Sequence, residues 1–233
     1  MAEPKKKKKI TASTAPKTKK EAAPVGNATG LRIGAVALWV VAIAIEVVAY
    51  LMLIGKINLT FMATLTQVII ALVLDLVCVI VGSALWKKAN HIKPASEKNK
   101  VLFWLWNNMG LIVSTIAFLP FVILALTNKD TDKKTKTIAT VVAAIALLIG
   151  GAASIDYNPV SVEEQQAAIE AISTDVYWSP FGKVYHTHED CQALNRSDEL
   201  TVGTVEQAIA ENRTRLCSFC AKEDDIEGVK TDE

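Results

Sequence analysis

The segment from Val176 to Cys220 carries two short motifs, Tyr-His-Thr-His-Glu-Asp-Cys at 185–191 and Cys-Ser-Phe-Cys at 217–220. It gathers three of the four cysteines and two of the three histidines of the chain. The two-residue gap between Cys217 and Cys220 lets both sulfur atoms face one ion from a tight turn. One histidine and Cys191 supply the other pair of a tetrahedral zinc shell. The sequence therefore predicts zinc as a cofactor, with these ligands: His186, Cys191, Cys217 and Cys220.

The nitrogen ligand has two candidates. His188 is separated from Cys191 by two residues, which mirrors the spacing of the second cysteine pair. We favour His186, because it follows a predicted β-strand. A Cys-x-x-Cys pair is also typical of thioredoxin-like redox centres, but the sequence lacks the βαβ pattern that such a centre requires. About 45 residues cannot bury enough apolar surface to be stable alone, so a structural metal is expected to hold this segment together.

Turn and capping signals predict regular structure around the two motifs. A type I turn over Ser179–Gly182 predicts a β-hairpin between Val176–Trp178 and Lys183–Tyr185, with His186 at its end. A capping box at Thr204–Gln207 begins a helix that leads towards the second cysteine pair.

A second capping box, Ser161–Glu164, begins a helix over Val162–Ile172. The C-terminal part of the chain is therefore predicted to contain a linker with a short helix at 155–174, a zinc module at 175–222 and a frayed acidic tail at 223–233.

Four long apolar runs precede this region. They are Leu31–Ile54, Phe61–Trp86, Val101–Leu126 and Thr137–Ala153. At about 1.5 Å per residue, the first three are long enough to cross a hydrocarbon core of roughly 30 Å, and the last run is the shortest. The sequence thus predicts an α-helical membrane protein, with four transmembrane helices at 31–154 followed by a small zinc-stapled α/β cytoplasmic module.

Charge is strongly segregated, although the net charge is only +1. Residues 1–30 hold eight lysines against two glutamates, and we interpret them as a disordered basic tail. Residues 156–233 hold 17 acidic against six basic residues. With the N-terminus inside, 14 basic residues face the cytoplasm and five face outward, which favours a multi-pass protein of the cell (inner) membrane with both termini cytoplasmic. The cytoplasm also keeps thiols reduced.

Several of these residues resemble the Ada-type metal-binding module, a compact zinc-bound α/β unit. They are Tyr185-His186, Cys191, the helix Val205–Ala210 and Cys217-Ser218-Phe219-Cys220. All lie within the segment from Val176 to Cys220, which is about a fifth of the chain. In the Ada repair family a zinc-bound cysteine accepts a methyl group from DNA phosphate, and Cys191 is its nearest counterpart. This chain has His186 where that family uses cysteine. Its acidic surroundings repel a phosphate backbone, so nucleic acid is not expected as a partner.

Two carboxyl groups, Glu46 and Asp75, fall near the middle of the first two apolar runs. A carboxyl at that depth is costly and marks a candidate functional site. The simpler interpretation is a protonated group hydrogen-bonded to a neighbouring helix. No intramembrane lysine or arginine, inverted repeat or broken helix supports a transporter. A stripe of small residues in the last run predicts close helix packing: Ala139, Ala143, Ala146 and Gly150.

We therefore expect an integral membrane protein whose cytoplasmic module serves partner binding or sensing. Its partners would be the lipid bilayer and a protein that the module binds. Conduction of a proton or cation through Glu46 and Asp75 is the alternative, and a membrane-tethered nucleic-acid binder ranks third. No Ser/His/Asp set, phosphate loop or open three-ligand metal site is visible, so neither an enzyme nor catalytic residues are predicted.

Overall fold

The structure is a computed structural model that describes residues 8–13, 26–59 and 62–232. It divides into two compact units. The helical unit comprises Thr29–Lys87 and Trp104–Tyr157. The α/β unit comprises Met1–Ala28, Lys88–Phe103 and Asn158–Glu233.

Long apolar helices make up the helical unit and extend beyond its bounds. The helices in this part of the chain are α1 Ala28–Leu53, α2 Thr64–Ile92, α3 Lys100–Asn107, α4 Met109–Thr127 and α5 Lys133–Ser154. Four of them, α1, α2, α4 and α5, are long and apolar enough to cross a membrane. The four predicted apolar helices are therefore confirmed in number and approximate position.

The third predicted run, Val101–Leu126, is not one uninterrupted helix. It is divided at Asn108, whose backbone leaves helical geometry with φ −104° and ψ 15°. The side chain amide of Asn108 donates to the carbonyl of Trp104 at 2.9 Å, and its backbone N–H donates to the same oxygen at 3.0 Å. Asparagine competes for nearby backbone groups in this way, which explains the break.

Small residues bring α4 and α5 close together, as the sequence predicted. The α5 stripe is buried, with Ala139 and Ala143 fully inaccessible. A Cβ atom placed on Gly150 would lie 2.9 Å from Oγ of Ser114, a distance that real Cβ atoms do not show. A larger residue at Gly150 would therefore require the side chain of Ser114 to move.

Aromatic side chains connect α1, α2 and α3 within the helical unit. The indole N–H of Trp86 donates to the carbonyl of Trp106 at 2.8 Å. The guanidinium of Arg32 lies 5.7 Å from the ring centre of Trp86 and 5.1 Å from that of Trp106. Stacking over two indole rings lets this cation stay beside apolar helices at a low cost in free energy.

The α/β unit contains short elements around its own core. They are β1 Lys9–Ala12, α6 Val162–Ala171, β2 Val176–Trp178, β3 Val184–Tyr185, β4 Glu199–Gly203, α7 Val205–Ala210, β5 Arg215–Leu216 and α8 Ser218–Glu223. Both predicted capping boxes are present, at the start of α6 and of α7. The largest fully buried side chains of this core are Trp178, Tyr185, Leu194, Leu200, Ile209 and Leu216.

Two small sheets organise the unit. In the first, β4 lies between β1 and β2, parallel to β1 and antiparallel to β2. In the second, β3 and β5 pair in parallel. The predicted hairpin is only partly correct. The turn closes, with Gly182 N–H donating to the Ser179 carbonyl at 3.2 Å. However, an isolated bridge joins Tyr177 of β2 to His186, the residue after β3, and the two strands themselves pair with other strands.

The predicted disordered tail over 1–30 is wrong for part of its length. Residues 9–12 form β1, and α1 already begins at Ala28. The backbone groups of β1 complete the ladder of β4, which compensates for ordering a polar segment. The lysines at 5–7 and the residues at 14–25 lie outside the described part of the chain.

The predicted frayed tail over 223–233 is also wrong for the described residues. Leu216 N–H donates to the Lys230 carbonyl at 3.0 Å, and Asp232 N–H donates to the Leu216 carbonyl at 3.2 Å. Ile226 and Val229 pack against the core of the α/β unit. Two apolar residues among the acidic ones are enough to fold this segment back over β5.

The segment between α2 and α3 belongs to the α/β unit as well. The carbonyl of Ala95 accepts the N–H of Val162 at 3.1 Å. The carboxylate of Glu163 accepts the hydroxyl of Ser96 at 2.5 Å and the N–H of Glu97 at 3.0 Å. The first turn of α6 is thus tied to residues 95–97.

Candidate metal centre

The parallel pair β3–β5 sets the position of the site. Tyr185 is the register partner of Leu216, so the next residue on each strand, His186 and Cys217, lie side by side. The N–H of Cys217 donates to the Tyr185 carbonyl at 2.9 Å, which fixes the two backbones at this point. The ends of two strands therefore deliver one nitrogen and one sulfur ligand to the same place.

The remaining two cysteines come from short helical turns. Cys191 immediately precedes a single 3₁₀ turn, Gln192–Leu194, and its carbonyl accepts the N–H of Leu194 at 2.9 Å. Cys220 lies in the first turn of α8, three residues after Cys217, which is the N-cap of that helix. This arrangement points both thiols of the second motif to the same side.

The four predicted ligands meet in one cluster. Their ligand atoms all lie within 4.8 Å of one another, and all four residues are buried. The Sγ atoms of Cys191 and Cys217 are 3.9 Å apart, and Sγ of Cys220 is 3.8 Å from Nδ1 of His186. A tetrahedral zinc site with bonds of about 2.0–2.3 Å places its ligand atoms roughly 3.5–3.8 Å apart. The cluster is close to that size and could hold a metal ion.

The second histidine candidate lies outside the cluster. Nε2 of His188 is 2.7 Å from Oδ1 of Asp224, and the hydroxyl of Thr187 donates to Oδ2 of the same carboxylate at 2.5 Å. The bond to Asp224 raises the pKa of His188. His186 therefore lies in the cluster beside Cys217, whereas His188 bonds to Asp224 outside it.

Burial controls the protonation of the cluster. It raises the pKa of Cys191 to about 12 and also raises the pKa of Cys217. It lowers the pKa of His186 to about 4, so the imidazole is neutral at pH 7 and has a lone pair to offer a metal. Backbone N–H groups of Phe219 and Cys220 reach Cys217, and that of Ala193 reaches Cys191; these donors favour the thiolate. A cation would complete the stabilisation of this form.

Two aspartates that support the cluster were missed in the sequence. Asp232 accepts the N–H of Ser218 at 2.7 Å and so caps the helix that carries Cys220. Asp224, at the other end of α8, holds Thr187 and His188. The sequence offers one indication that this tail is folded, the two apolar residues Ile226 and Val229 among its acidic residues.

The other cysteine and the two candidate carboxyl groups of the apolar helices lie outside the cluster. Cys78 is a free thiol in α2. Oε1 of Glu46 accepts the N–H of Phe121 at 3.1 Å, directly after Pro120, where proline disturbs the helix. Asp75 is fully buried, and among the described residues neither of its carboxylate oxygens has a hydrogen-bond partner.

Comparisons of the chain with protein-family models, with curated proteins and with solved structures find no match.

Proposed function

We propose that the protein is a multi-pass membrane protein whose α/β unit holds a structural zinc ion and binds a protein partner in the cytoplasm. The observation that carries this proposal is the buried cluster of one imidazole and three thiols within 4.8 Å. Thiolate-rich tetrahedral sites select zinc over hard cations such as magnesium. Four protein ligands leave no vacant position for water, which supports a structural role rather than catalysis.

The motif resemblance to the Ada-type module agrees with this chemistry and adds the expectation of a compact zinc-bound fold. Methyl transfer is not carried over. Cys191 is only 5% exposed, and the unit around it is acidic, so a DNA phosphate would be both hindered and repelled.

The proposed topology has support from contacts within the α/β unit. Segments of the chain that are separated by two or by four membrane spans lie on the same side of the membrane. β1 lies before the first apolar helix, residues 95–97 follow the second, and α6 follows the fourth. The pairing of β1 with β4 and of residues 95–97 with α6 requires all three segments to share one side. The excess of lysines over glutamates in residues 1–30 and 87–100 favours the cytoplasmic side.

The metal assignment is tested on the full-length protein purified without added metal. Elemental analysis should give one zinc per chain. Cys217→Ser should lose the zinc and lower the temperature of unfolding of the α/β unit. Cys78→Ser is the matched control, because this thiol lies outside the cluster, and it should keep the zinc. A wild-type protein that contains no metal, and whose unfolding is unchanged by a chelator, would contradict the proposal.

Conduction of a proton or small cation is the second candidate function. One observation favours it: Asp75 is fully buried with neither oxygen hydrogen-bonded among the described residues, a costly arrangement inside a membrane. The structural interpretation of Glu46 is favoured by its bond to Phe121. Flux measured in reconstituted vesicles separates the two. We expect wild type and Glu46→Gln/Asp75→Asn to behave alike, and a flux lost in the double variant would establish conduction.

A further inference from the structure

The outer edge of β4 is completed by a segment from a distant part of the sequence. Lys9 pairs with Glu199 across 190 residues. The N–H of Lys9 donates to the Asp198 carbonyl at 2.9 Å, and that of Ser13 donates to the Val202 carbonyl at 2.8 Å. In a parallel ladder alternate residues bond to the same neighbour. Residues 9, 11 and 13 therefore bond to β4, and residues 10 and 12 direct their backbone groups away from it.

Polar side chains of the α/β unit hold both ends of this segment. The ammonium group of Lys8 donates to the Glu189 carbonyl at 2.9 Å, and that of Lys9 lies 3.3 Å from Oε1 of Glu199. At the other end, the hydroxyl of Ser13 donates to Oε1 of Glu211 at 2.9 Å. The edge of β4 therefore binds a segment with two consecutive basic residues, Lys8 and Lys9, and a hydroxyl residue four positions after the second, Ser13.

The contact with Ser13 is built into the core. Oε2 of Glu211 accepts the indole N–H of the fully buried Trp178 at 3.0 Å, so the carboxylate is held in place before the serine arrives. Gly203 leaves room beside it, since a Cβ atom there would lie 3.1 Å from Cβ of Ser13. The groove therefore accepts a small hydroxyl residue at this position and disfavours a large one.

Burial of apolar surface contributes little to holding β1 in place. All four of its residues are exposed, and its one large apolar side chain, Ile10, remains 44% exposed. Its attachment rests on backbone hydrogen bonds and on a surface ion pair between Lys9 and Glu199, and exposed ion pairs contribute little to stability. Binding of this kind is the chemistry of strand addition, in which the main chain supplies affinity and a few side chains supply selectivity.

We propose that the outer edge of β4 is a docking site for an extended basic peptide of a partner protein, and that residues 8–13 occupy it until such a peptide displaces them. The partner segment carries two consecutive Lys or Arg residues and a Ser four positions after the second. The acidic excess of residues 156–233 favours this charge. The proposal rests on the proposed partner-binding function and names the class of partner.

Displacement is tested with a labelled peptide of residues 7–14, Lys-Lys-Lys-Ile-Thr-Ala-Ser-Thr. Its affinity is measured for the full-length protein in detergent and for a variant that lacks residues 2–14. The open edge of the variant should bind the peptide at least tenfold more tightly, because no internal segment competes. Ser13→Pro in the full-length chain removes both the N–H and the hydroxyl that hold β1. This variant should therefore also bind the labelled peptide more tightly than the wild type does. Equal affinities in all three proteins would overturn the proposal.

Backbone recognition is separated from charge attraction by N-methylation of the peptide, which leaves every charge unchanged. Methylation at the residue equivalent to Ser13 removes an N–H that bonds to Val202 and should abolish binding. Methylation at the residue equivalent to Ala12 is the matched control and should leave binding within about twofold, since this N–H points away from β4. Two methylated peptides that bind equally well would reduce the interaction to non-specific attraction and overturn the proposal.

Zinc is measured on every sample, so the two proposals fail in different ways. If the protein contains one zinc per chain but the open edge binds no peptide, the docking proposal is wrong and the zinc proposal stands. If the protein contains no zinc but still binds the peptide, the zinc proposal is wrong and the docking proposal stands.

Discussion

The ligand residues of the cluster have to change protonation when a metal binds. Burial raises the pKa of Cys191 and Cys217, so these thiols are neutral at pH 7 in the metal-free protein. The lowered pKa of His186 leaves its imidazole neutral too. Zinc binds thiolate and neutral imidazole. The metal must therefore displace protons from sulfur and none from nitrogen.

We expect zinc binding at pH 7 to release at least two protons, one from Cys191 and one from Cys217. The sign follows directly: raising the pH removes the competing protons and strengthens binding, and lowering it weakens binding. Calorimetric titration in buffers of different ionisation enthalpy measures the number released. His186→Ala is the control, because it should weaken binding but leave the proton count unchanged. A release near zero would mean that the thiols do not ligate the metal.

Glu46 and Asp75 should respond in opposite ways to an apolar replacement. Glu46→Val leaves the N–H of Phe121 without its acceptor and should lower the free energy of unfolding by about 1–3 kcal/mol. Asp75→Val removes a buried carboxyl that has no hydrogen-bond partner among the described residues, and it should leave stability unchanged or higher. Unfolding of the purified protein in detergent measures both. A large decrease in the free energy of unfolding for Asp75→Val would show that this carboxylate makes a stabilising interaction.

At the level of single residues, much of the site could be predicted from the sequence. The three cysteines and their spacing identify the cluster, because thiols at such spacing have few other uses. The choice between His186 and His188 rested on a predicted strand, and the structure places His186 in the cluster. Asp224 and Asp232 could not be found, because acidic residues are common in a charged tail and only folding back over β5 gives them a role.

Local signals predicted the helices better than the strands. The capping boxes of α6 and α7 need only four consecutive residues each, and both are present. The pairing of β3 with β5 and of β1 with β4 joins segments far apart in the sequence. Strands of two to five residues are too short for a reliable periodic pattern, so their partners could not be identified from the sequence.

The first turn of α6 should be held less firmly to residues 95–97 when Glu163 is changed to Gln, because one of the two carboxylate acceptors is lost while the bond from Val162 to Ala95 remains. Two donors, the Ser96 hydroxyl and the Glu97 N–H, lower the pKa of Glu163. Because the pKa of Glu163 is lower in the folded protein, its carboxylate stabilises the fold fully at pH values above the pKa of an unfolded glutamate, near 4.3. This contribution is lost as the pH falls through the pKa of Glu163 in the folded protein.

Hydrogen exchange of residues 95–98 measures this link. Glu163→Gln should speed the exchange at pH 7, and the difference from wild type should shrink as the pH falls through the lowered pKa of Glu163. Glu170→Gln, an exposed position on the same helix, is the control and should have no effect. Faster exchange in both variants would point to a general loss of helix stability instead.

For the whole molecule, the predicted boundaries of the zinc module were too narrow. The α/β unit recruits β1, residues 88–103, α6 and the tail to 232 in addition to 175–222. A segment of 175–222 alone lacks Val160, Ala168 and Ile172 of the core. Small domains have little buried area to lose, so each such residue weighs heavily in their stability.

The proposed topology places Lys98 and Lys129 on opposite sides of the membrane. We expect Lys129→Cys to react with an impermeant thiol reagent in intact cells, and Lys98→Cys to react only after lysis, since both side chains are exposed. Wild type is the control for the native cysteines, three of which are buried. Reaction of Lys98→Cys in intact cells would overturn the topology.

The parallel pair β1–β4 also has a consequence for the order of events during biosynthesis. All four membrane-length helices are encoded between its two strands. The N-terminal strand therefore emerges from the ribosome long before β4 exists, and closing so long a loop is slow. β2 and β4 can pair as soon as both are made, whereas β1 has to find an edge that is already formed. The first strand to be synthesised is thus the last to join the sheet.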